Sequence, residues 1–335
     1  MDISVAICTW NHARLLDQTL SEMANLVVRP SLKWELLIID NNCTDDTSAV
    51  VQKHIGALPI RYVLEPRQGQ SNARNRALQE AQSDWVIFTD DDVLVDPKWL
   101  ATYEKAAGDA GDDVVLLGGD IVPYFPEEPD PALVQAMPMV GDGFCARKVP
   151  SDLCITNQST YLPLGANFGL RKSLLSDVRF NPRLGASKNS RILGEEVALF
   201  QHLLSKGLKG SWVSDAGVRH YVDPSRLKLR SLRRQLFGMG RQTVRKNGPP
   251  AGRTLVAGMP AWVYRSTLVS GVEMTAALIL RRKLWFYESF NRFWQYWGVL
   301  YEHFASSRLR GSRDNANLGG DIRSQDGVER TGGPR

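Results

Sequence analysis

The sequence predicts an α/β fold: a Rossmann-like, mostly parallel sheet flanked by helices and followed by a helical C-terminal extension. Two observations carry this prediction. Apolar, strand-like runs alternate with helical periodicity through about the first hundred residues, which is typical of a parallel α/β sheet. Each apolar run also ends in a cluster of polar residues, and ligands of such sheets bind beyond the carboxyl ends of the strands.

Four predicted strands and three predicted helices make up this alternating region. The strands are ISVAIC, WELLIID, IRYVLEP and WVIFTD. The helices are HARLLDQTLSEMANL, DDTSAVVQKHI and SNARNRALQEAQ. Thr44 or Asp45 is in position to cap the second helix and Ser71 the third, because short polar side chains accept hydrogen bonds from the first backbone amides of a helix.

Short strands and loops fill the middle of the chain, from about residue 114 to 221. Within it, LGEEVALFQHLLSKGL predicts an amphipathic helix that begins near Gly194. The next segment, GSWVSDAGVRHYV, predicts a strand whose end carries His220. The middle of the chain therefore adds at least one helix and one strand to the alternating region.

A helical pattern returns from about residue 227 to 304. The run MPAWVYRSTLVSGVEMTAALIL is long enough to be considered as a membrane span, but Arg265 and Glu273 interrupt it. Because a charged residue costs roughly 2.5–3.5 kcal/mol at the centre of a bilayer, we expect a buried or interfacial helix. The following run, RRKLWFYESFNRFWQYWGVLYEHF, sets tryptophans beside basic residues. This suits a membrane interface and, equally, a helix packed on the domain or on a second subunit.

Composition limits the class of protein. At 43% apolar and 23% charged residues the chain is typical of a globular protein, and its net charge is +5. Basic residues without an acid between them occupy positions 226–253, which suits an anionic ligand, a membrane surface or a solvated face. The four cysteines show no CxxC spacing, and the first strand is not followed by GxGxxG. The N-terminus lacks a basic region before an apolar core, so we expect a cytoplasmic location.

Three consecutive carboxylates follow the fourth predicted strand: Asp90, Asp91 and Asp92. Two carboxylates about 4 Å apart repel each other by roughly 4 kcal/mol at an effective dielectric constant near 20. Either the loop is simply solvated, or a divalent cation offsets the repulsion, since hard cations prefer oxygen ligands. The polar clusters that end the other three strands favour the cation, because all four clusters should line one edge of the sheet.

Six segments occur in a characteristic order: SVAICTWNHARLLDQTL, LLIIDNNCTDDT, EPRQGQSNARNRAL, WVIFTDDDVLVDPKWL, LGANFGLRKSL and LGEEVALFQHLLSKG. In this order they resemble the successive motifs of the family 2 glycosyltransferases with the GT-A fold, from about residue 2 to residue 225. The resemblance implies a GT-A glycosyltransferase domain at 1–225, with a nucleotide-binding half at 1–115 and an acceptor half at 116–225. After this domain, the sequence pattern predicts a basic and aromatic helical extension at 226–305. The residues at 306–335 are rich in Gly, Arg, Asp and Asn, which predicts a disordered tail.

The resemblance implies how the acidic triplet works. It assigns Asp92 to a Mn²⁺ or Mg²⁺ ion that bridges the donor diphosphate. Asp90 and Asp91 would contact the donor ribose or orient the site, with Asp90 also near the metal. His220 would complete the metal shell, although a single histidine is also commonly structural.

The same resemblance implies a donor pocket built from the first three strands. Asp40 would recognise the nucleotide base, and Thr9 and Asn11 would frame the same pocket. Arg67 and Arg74 would contact the phosphates or the base, with a solvated surface position as the alternative for both.

For the acceptor side, the resemblance implies contacts from Gly165, Ala166 and Asn167, where small residues allow the backbone to approach a ligand. Gly-Glu-Glu at 194–196 resembles the family's Gly-Glu-Asp motif, whose last residue is the general base. This sequence departs from that motif, because Glu196 stands in place of the aspartate. We expect Glu196 to be the base, with Glu195 as the alternative. A helix first turn that only complements the dipole is a further interpretation.

The implied reaction is an inverting transfer of a hexosyl or related sugar from a nucleotide-sugar donor to an acceptor hydroxyl, in polysaccharide or glycolipid biosynthesis. The expected partners are the donor, a glycan or lipid-linked acceptor and a peripheral contact with the inner face of the membrane, and no nucleic acid is expected.

Two rival functions stay open at this point. A haloacid-dehalogenase-like phosphatase also uses an Asp-x-Asp loop, although usually after its first strand. A non-catalytic nucleotide-sugar-binding scaffold would explain the departure at Glu196.

Overall fold

A computed structural model describes residues 2–141, 144–149, 153–182, 184–187, 190–192 and 194–318 of the chain. Its first part alternates strand and helix: β1 (Ile3–Thr9), α1 (Ala13–Met23), β2 (Trp34–Asp40), α2 (Thr47–His54), β3 (Ile60–Leu64), α3 (Gln70–Glu80), β4 (Trp85–Asp90), β5 (Val93–Val95) and α4 (Trp99–Asp109). The middle part contains β6 (Val114–Tyr124), α5 (Pro131–Ala136), α6 (Pro138–Gly141), β7 (Cys154–Ile155), β8 (Asn167–Arg171), β9 (Gly185–Ser187), β10 (Ser190–Ile192), α7 (Glu195–Ser205) and β11 (Lys209–Tyr221). The last part contains α8 (Leu229–Asn247), β12 (Leu255–Val256), β13 (Met259–Pro260), α9 (Ala261–Ile279) and α10 (Lys283–Leu318).

The described chain divides into two units. The first consists of Met1–Glu128 and Gly141–Asp223, and the second of Pro129–Val140 and Pro224–Arg335. The short segment Pro129–Val140 is thus grouped with the C-terminal helices, which its position in the sequence does not indicate.

One mixed sheet forms the centre of the first unit. Among the described residues it has nine strands, in the order β3-β2-β1-β4-β8-β6-β11-β5, with β7 paired to β11. Strands β1 to β4, β6 and β11 run in one direction, and β5, β7 and β8 run in the other. The predicted mostly parallel, Rossmann-like α/β sheet is confirmed.

The pairing register brings the polar strand ends together. Thr9 lies opposite Asp40 on β1 and β2, and Cys8 lies opposite Asp90 on β1 and β4. At the far side of the sheet, β11 pairs with β5 so that His220 lies opposite Val93. The carboxyl ends of β1, β2 and β4 therefore share one edge, and the end of β11 reaches the loop that follows β4.

Both faces of the sheet are buried. Val5 and Ile7 of β1 pack in one apolar cluster with α1 and α4, whereas Ala6 belongs to a second cluster with α3 and α7. Successive side chains of a strand point to opposite faces, so a strand covered on both sides is apolar along its whole length. This explains why ISVAIC shows no alternation of polar and apolar residues.

Helices α8, α9 and α10 make up most of the second unit. In the described chain, no helix combines the length and the apolar character that crossing a membrane requires. The tail predicted to be disordered from residue 306 is helical as far as Leu318, at the end of α10. The rest of the predicted tail, 319–335, lies outside the described residues.

Two glycines allow α8 and α10 to approach closely. A Cβ atom at Gly298 of α10 would overlap the carbonyl oxygen of Phe237 on α8, and one at Gly240 of α8 would overlap the carbonyl oxygen of Gln295 on α10. The two helix backbones thus meet at these positions, which only glycine permits.

We expect Gly298→Ala to lower the stability of the second unit by about 1–3 kcal/mol, because the added methyl group forces the helices apart. Gly238→Ala is the matched control, since a Cβ atom at Gly238 of α8 would meet nothing within 4 Å. The control should be neutral or stabilising by about 1 kcal/mol, as alanine favours a helix more than glycine does. Urea unfolding followed by circular dichroism measures both changes. Equal midpoints for the two variants would contradict the close contact.

Candidate active site

The acidic loop between β4 and β5 is held by two other elements. The Thr19 hydroxyl of α1 donates a hydrogen bond that is shared between the backbone carbonyls of Asp91 (3.0 Å) and Val93 (2.9 Å). The backbone amide of Tyr221, at the end of β11, donates to the carbonyl of Asp92 (2.8 Å). These bonds fix the backbone of the loop and leave the carboxylates to other partners.

Two carboxylates of the triplet each lie beside a histidine. Nδ1 of His12 lies 3.1 Å from Oδ1 of Asp91, and Nε2 of His220 lies 3.3 Å from Oδ1 of Asp92. The hydrogen bond to Asp91 raises the pKa of His12 to about 9. Ligand atoms of Asp90, Asp92 and His220 all lie within 4.8 Å of one another. This is a carboxylate and imidazole set of the kind that holds a divalent cation.

The electrostatics of the triplet fit a cation. Burial raises the pKa of Asp92 to about 7, with the neighbouring carboxylates adding to the effect and His220 opposing it. Burial likewise raises the pKa of Asp90. Oδ1 of Asp92 is buried and, in the part of the chain that the structure describes, accepts no hydrogen bond. A bound cation would favour the ionised carboxylates and add a ligand bond to this oxygen beside its 3.3 Å contact with His220.

A thiol fixes the orientation of the His220 ring. Sγ of Cys145 lies 3.0 Å from Nδ1 of His220, which directs Nε2 toward Asp92. A hydrogen bond to the second ring nitrogen is how histidine ligands are commonly oriented. This contact could not be predicted from the sequence, because Cys145 lies 75 residues from His220 and outside any helix or strand.

Asp40 sits at the end of β2 inside its own hydrogen-bond network. Oδ1 accepts from the backbone amide of Cys43 (2.6 Å), and the hydroxyl of Tyr62 donates to Oδ2. Thr9 is buried beside it, and its hydroxyl oxygen has no hydrogen-bond partner in the described chain. Asn11 accepts a hydrogen bond from the amide of Thr44 (2.7 Å), which ties the ends of β1 and β2 together. The three predicted donor residues of these strands therefore share one edge of the sheet.

Asn41, for which the sequence predicted no role, holds the loop between β3 and α3. Its amide nitrogen donates to the carbonyls of Glu65 (3.1 Å) and Arg67 (2.9 Å), and its oxygen accepts from the amide of Gly69 (2.7 Å). The side chain of Arg67 is exposed and pairs with Glu65 through Nε at 2.9 Å. Arg67 thus lies on the surface of a loop whose backbone Asn41 holds in place. Its predicted contact with the donor stays a prediction.

Arg74 lies in the interior of the protein. Its side chain is only 2% exposed, with the guanidinium beside the rings of Phe168 and Phe180. Nη1 donates to Oε1 of Glu195 at 2.8 Å, and Nη2 donates to the carbonyl oxygen of Gly165 at 3.2 Å. These bonds hold the guanidinium inside the protein, so the solvated surface position is excluded, and the predicted contact with the donor stays a prediction.

Arg74 also lies close to both the acidic triplet and the carboxylates of α7. Nη2 lies 3.9 Å from Oδ1 of Asp90, and Nη1 lies 3.9 Å from Oε2 of Glu196. The acidic triplet after β4 and the first turn of α7 are therefore within reach of a single side chain. A solvated loop that happened to be acidic does not require this arrangement.

The two glutamates of α7 differ in their surroundings. Glu195 is buried and bonded to Arg74, and burial raises its pKa although Arg74 opposes the change. Glu196 is more exposed, with its side chain 14% accessible against 2% for Glu195, and within the described residues Oε2 of each glutamate accepts no hydrogen bond. Glu196 is therefore the more accessible carboxylate of this pair, and its role as the base stays a prediction.

The predicted acceptor block is largely structural. The side chain of Asn167 is fully buried: its oxygen accepts from Trp99 (3.0 Å) and Tyr103 (2.9 Å), and its nitrogen donates to the carbonyls of Asp120 (2.9 Å) and Ala216 (2.6 Å). An amide side chain has no further hydrogen-bonding capacity. The side chain of Asn167 is therefore not available to hydrogen-bond an acceptor, and a contact through the backbone of this block stays a prediction.

Gly165 and Ala166 each contact another residue of the protein. A Cβ atom at Gly165 would overlap the guanidinium of Arg74, so this glycine makes room for the arginine. The carbonyl oxygen of Ala166 accepts a hydrogen bond from the hydroxyl of Thr89 on β4 (2.9 Å), and Ala166 is buried. The small residues allow a close approach, as predicted, but the group that approaches Gly165 belongs to the protein.

The family model described as Glycosyl transferase family 2 matches residues 4–178. The chain belongs to this family. The matched residues include the acidic triplet, Asp40 and Arg74, and they end before the carboxylates of α7.

Individual relatives of this family 2 chain match shorter stretches. A validoxylamine A glucosyltransferase of Streptomyces hygroscopicus subsp. limoneus is 34% identical over 134 residues, which are 39% of this chain and 29% of the relative. A hyaluronan synthase of Pasteurella multocida is 27% identical over 118 residues, which are 35% of this chain and 12% of the synthase. This chain spans less than a third of the length of either relative.

A solved structure confirms the fold of this family 2 chain. The mannosyltransferase PcManGT from Pyrobaculum calidifontis, in complex with GDP-Man and Mn²⁺, superposes with a TM-score of 0.52 at 16% sequence identity. The superposition covers 90% of this chain and 87% of the mannosyltransferase. The GT-A fold expected from the sequence motifs is thus shown.

For this family 2 chain we expect Arg74→Met to lower the free energy of unfolding by about 3–5 kcal/mol, because it leaves buried carboxylates without a cationic partner. Arg76→Met is the matched control on the same helix. Arg76 pairs with Glu80 one turn away at 2.9 Å, both side chains are partly exposed, and removing such a pair within a helix costs about 0.3–0.5 kcal/mol. Urea unfolding gives both values, and a similar small loss for the two variants would refute the bridge.

Proposed function

We propose that this chain is an inverting glycosyltransferase that moves a hexosyl or related sugar from a nucleotide-sugar donor to an acceptor hydroxyl. One observation carries the proposal. A single buried guanidinium lies 3.9 Å from both Asp90 and Glu196, so an acidic cation site and a carboxylate available as a base border the same space. These are the two groups that a single displacement at an anomeric carbon requires, one beside each of the reacting oxygens.

Asp90, Asp92 and His220 are proposed to hold Mn²⁺ or Mg²⁺. When bound, the ion supplies Lewis-acid stabilisation of the charge on the departing nucleoside diphosphate. Asp91 is proposed to act on the donor side with His12, to which it is bonded. The Mn²⁺ recorded with the Pyrobaculum mannosyltransferase supports this choice of metal.

Thr9, Asn11 and Asp40 are proposed to bind the nucleoside part of the donor at the ends of β1 and β2. Asp40 keeps its carboxylate oriented through Cys43 and Tyr62, and carboxylate oxygens have lone pairs left for a base donor. Arg67, on the neighbouring loop, is proposed to contact the donor phosphates by releasing Glu65. The side chain of Arg67 is exposed whereas Glu65 is buried, and the backbone amide of Arg67 also donates to Glu65 (2.9 Å), so Glu65 keeps this hydrogen bond when the guanidinium is released.

Glu196 is proposed to accept the proton of the acceptor hydroxyl. The acceptor oxygen then forms its bond to the anomeric carbon while the bond from that carbon to the diphosphate oxygen breaks, and the configuration inverts. Glu195 holds Arg74 in place and is proposed as a positioning residue. The backbone at Gly165 and Ala166 is proposed to border the acceptor.

The acceptor is proposed to be a glycan or a lipid-linked glycan, and the setting polysaccharide or glycolipid biosynthesis in the cytoplasm at the inner face of the membrane. The similarity to a hyaluronan synthase and to the succinoglycan biosynthesis protein ExoM of Rhizobium meliloti supports this class. No nucleic-acid partner is proposed.

A thermal-shift screen tests the donor proposal. UDP and GDP are added with and without Mn²⁺, and we expect one of them to raise the melting temperature only when Mn²⁺ is present. A ligand at about 100 times its dissociation constant stabilises the native state by about 2.7 kcal/mol. Hydrolysis of the matching nucleotide sugar then separates an enzyme from a non-catalytic binding scaffold. Failure of both nucleotides to act with Mn²⁺, together with no turnover of any nucleotide sugar, would reject the proposal.

The phosphatase alternative makes a different prediction. In such an enzyme one aspartate of the triplet attacks phosphorus, so beryllium fluoride would mimic the phosphoaspartate and protect the loop. The family assignment and the position of the loop after the fourth strand speak against this chemistry. We expect beryllium fluoride to leave the melting temperature unchanged.

A further inference from the structure

An apolar groove of about 720 Å³ lies in the second unit, formed by residues of α9 and α10. Its lining includes Leu268, Val272 and Ile279 of α9, and Phe293 and Trp297 of α10. The proposed transfer chemistry uses none of these residues. The groove therefore needs an explanation separate from that of the site in the first unit.

The walls of the groove continue into an exposed apolar surface. Leu268 is 71% exposed and Ile279 is 74% exposed, and the neighbouring Leu278 and Leu280 at the end of α9 are exposed as well. Trp297 is also exposed on the α10 side. Contiguous apolar surface of this kind marks a site of interaction with a protein or a membrane.

Positive charge begins where the apolar surface ends. Arg281 and Arg282 follow Leu280 directly, in the turn between α9 and α10. Both are exposed, and neither forms an ion pair with any residue that the structure describes. By contrast, Lys283 pairs with Asp130 (3.0 Å), and Arg292 pairs with Glu273. The two unpaired arginines are therefore available to an anionic partner.

The charge of the whole segment favours the same kind of partner. Residues 224–305 contain fourteen Lys and Arg residues and three Glu residues. A second copy of this chain would bring the same positive charge against itself. An anionic lipid surface offers the opposite charge at the level of the headgroups and an apolar layer beneath it.

We propose that the end of α9 and the adjoining face of α10 bind the surface of an anionic phospholipid bilayer. Leu278, Ile279 and Leu280 enter the acyl-chain boundary, and Arg281 and Arg282 contact lipid phosphates. The groove between the helices receives acyl chains. This is an interfacial mode of binding, consistent with the finding that no described helix is able to cross a membrane. The inference deepens the membrane location proposed above, but its test does not depend on transfer activity.

Flotation of the full chain with vesicles tests the proposal. We expect binding to vesicles that contain phosphatidylglycerol, weak binding to pure phosphatidylcholine vesicles, and a loss of binding as salt is raised. Arg281→Gln with Arg282→Gln should weaken binding by roughly 10- to 30-fold, from the usual contribution of a basic residue at an anionic surface. Leu278→Ser with Ile279→Ser should weaken it by roughly tenfold or more, because apolar area no longer enters the boundary.

Matched controls come from the first unit. Val27→Ser changes an equally exposed apolar residue, and Lys98→Gln with Lys105→Gln removes two exposed charges. The controls should bind vesicles as the unchanged protein does, and thermal unfolding confirms that every variant is folded. Binding that is the same for all variants overturns the proposal. So does a lipid-free dimer, seen by sedimentation velocity, that Ile279→Ser dissociates. Hydrolysis of the nucleotide sugar is assayed in parallel. If the unchanged protein hydrolyses the donor but does not bind anionic vesicles, the membrane proposal alone fails and the proposed transfer activity stands.

Discussion

Glu196→Gln will lower the turnover of sugar transfer by roughly 10²–10⁴-fold, the usual contribution of a general base. The variant keeps the size and the hydrogen-bonding reach of the side chain but cannot accept the proton of the acceptor hydroxyl. Donor binding should be unchanged, because the cation site and the strand ends are untouched. Steady-state kinetics and the thermal shift with nucleotide and Mn²⁺ measure the two effects separately.

Two further variants make this prediction specific. Glu196→Asp restores the residue of the family motif and keeps a carboxylate, so its turnover should lie well above that of the glutamine variant. Glu195→Gln removes the anionic partner of Arg74, and we expect its main effect to be a lower stability. If Glu196→Gln transfers sugar at the unchanged rate while Glu195→Gln is folded and inactive, the base has been assigned to the wrong residue.

Asp92→Asn will remove the response of the protein to Mn²⁺. We expect turnover to fall by roughly 10²–10³-fold, since a cation contributes several kcal/mol to the stabilisation of a departing diphosphate. Mn²⁺ should also no longer raise the melting temperature in the presence of the nucleotide. Without metal, the variant should be at least as stable as the unchanged protein, because it removes one of three neighbouring carboxylates from a buried loop.

Asp96→Asn is the control for this substitution. Asp96 lies four residues further along the chain, is exposed, and accepts a hydrogen bond from the amide of Lys98 at 2.8 Å. Its replacement should leave turnover and the metal response unchanged. A full response of Asp92→Asn to Mn²⁺ would show that the cation site lies elsewhere.

The sequence was sufficient to predict the fold and the position of the acidic site because both depend on local order. Strand and helix alternate along the chain, and parallel strands bring their ends to one edge whatever the details of packing. The triplet, Asp40 and Thr9 each follow or end a strand, so their meeting could be predicted without coordinates. The position of Glu196 in the first turn of a helix could also be predicted, from the helical periodicity that begins near Gly194, whereas its role as the base stays a prediction.

Contacts between distant segments could not be predicted in this way. Arg74 and Glu195 are 121 residues apart, and nothing in either segment indicates that the arginine turns inward. Asn167 has the polarity of a ligand-binding residue, but the same polarity satisfies Trp99 and Tyr103 in the core. A polar side chain in a motif looks alike in sequence whether it faces a ligand or a buried partner. Only the packing distinguishes the two.

The guanidinium of Arg74 lies near both ends of the proposed reaction and cannot follow either of them, since its own hydrogen bonds hold it still. As the acceptor loses its proton, Glu196 becomes neutral and one negative neighbour of Arg74 disappears. At the same moment negative charge grows on the leaving group at the opposite end. A stationary cation near both sites therefore keeps a positive charge within reach of whichever end is negative, without any rearrangement of the chain.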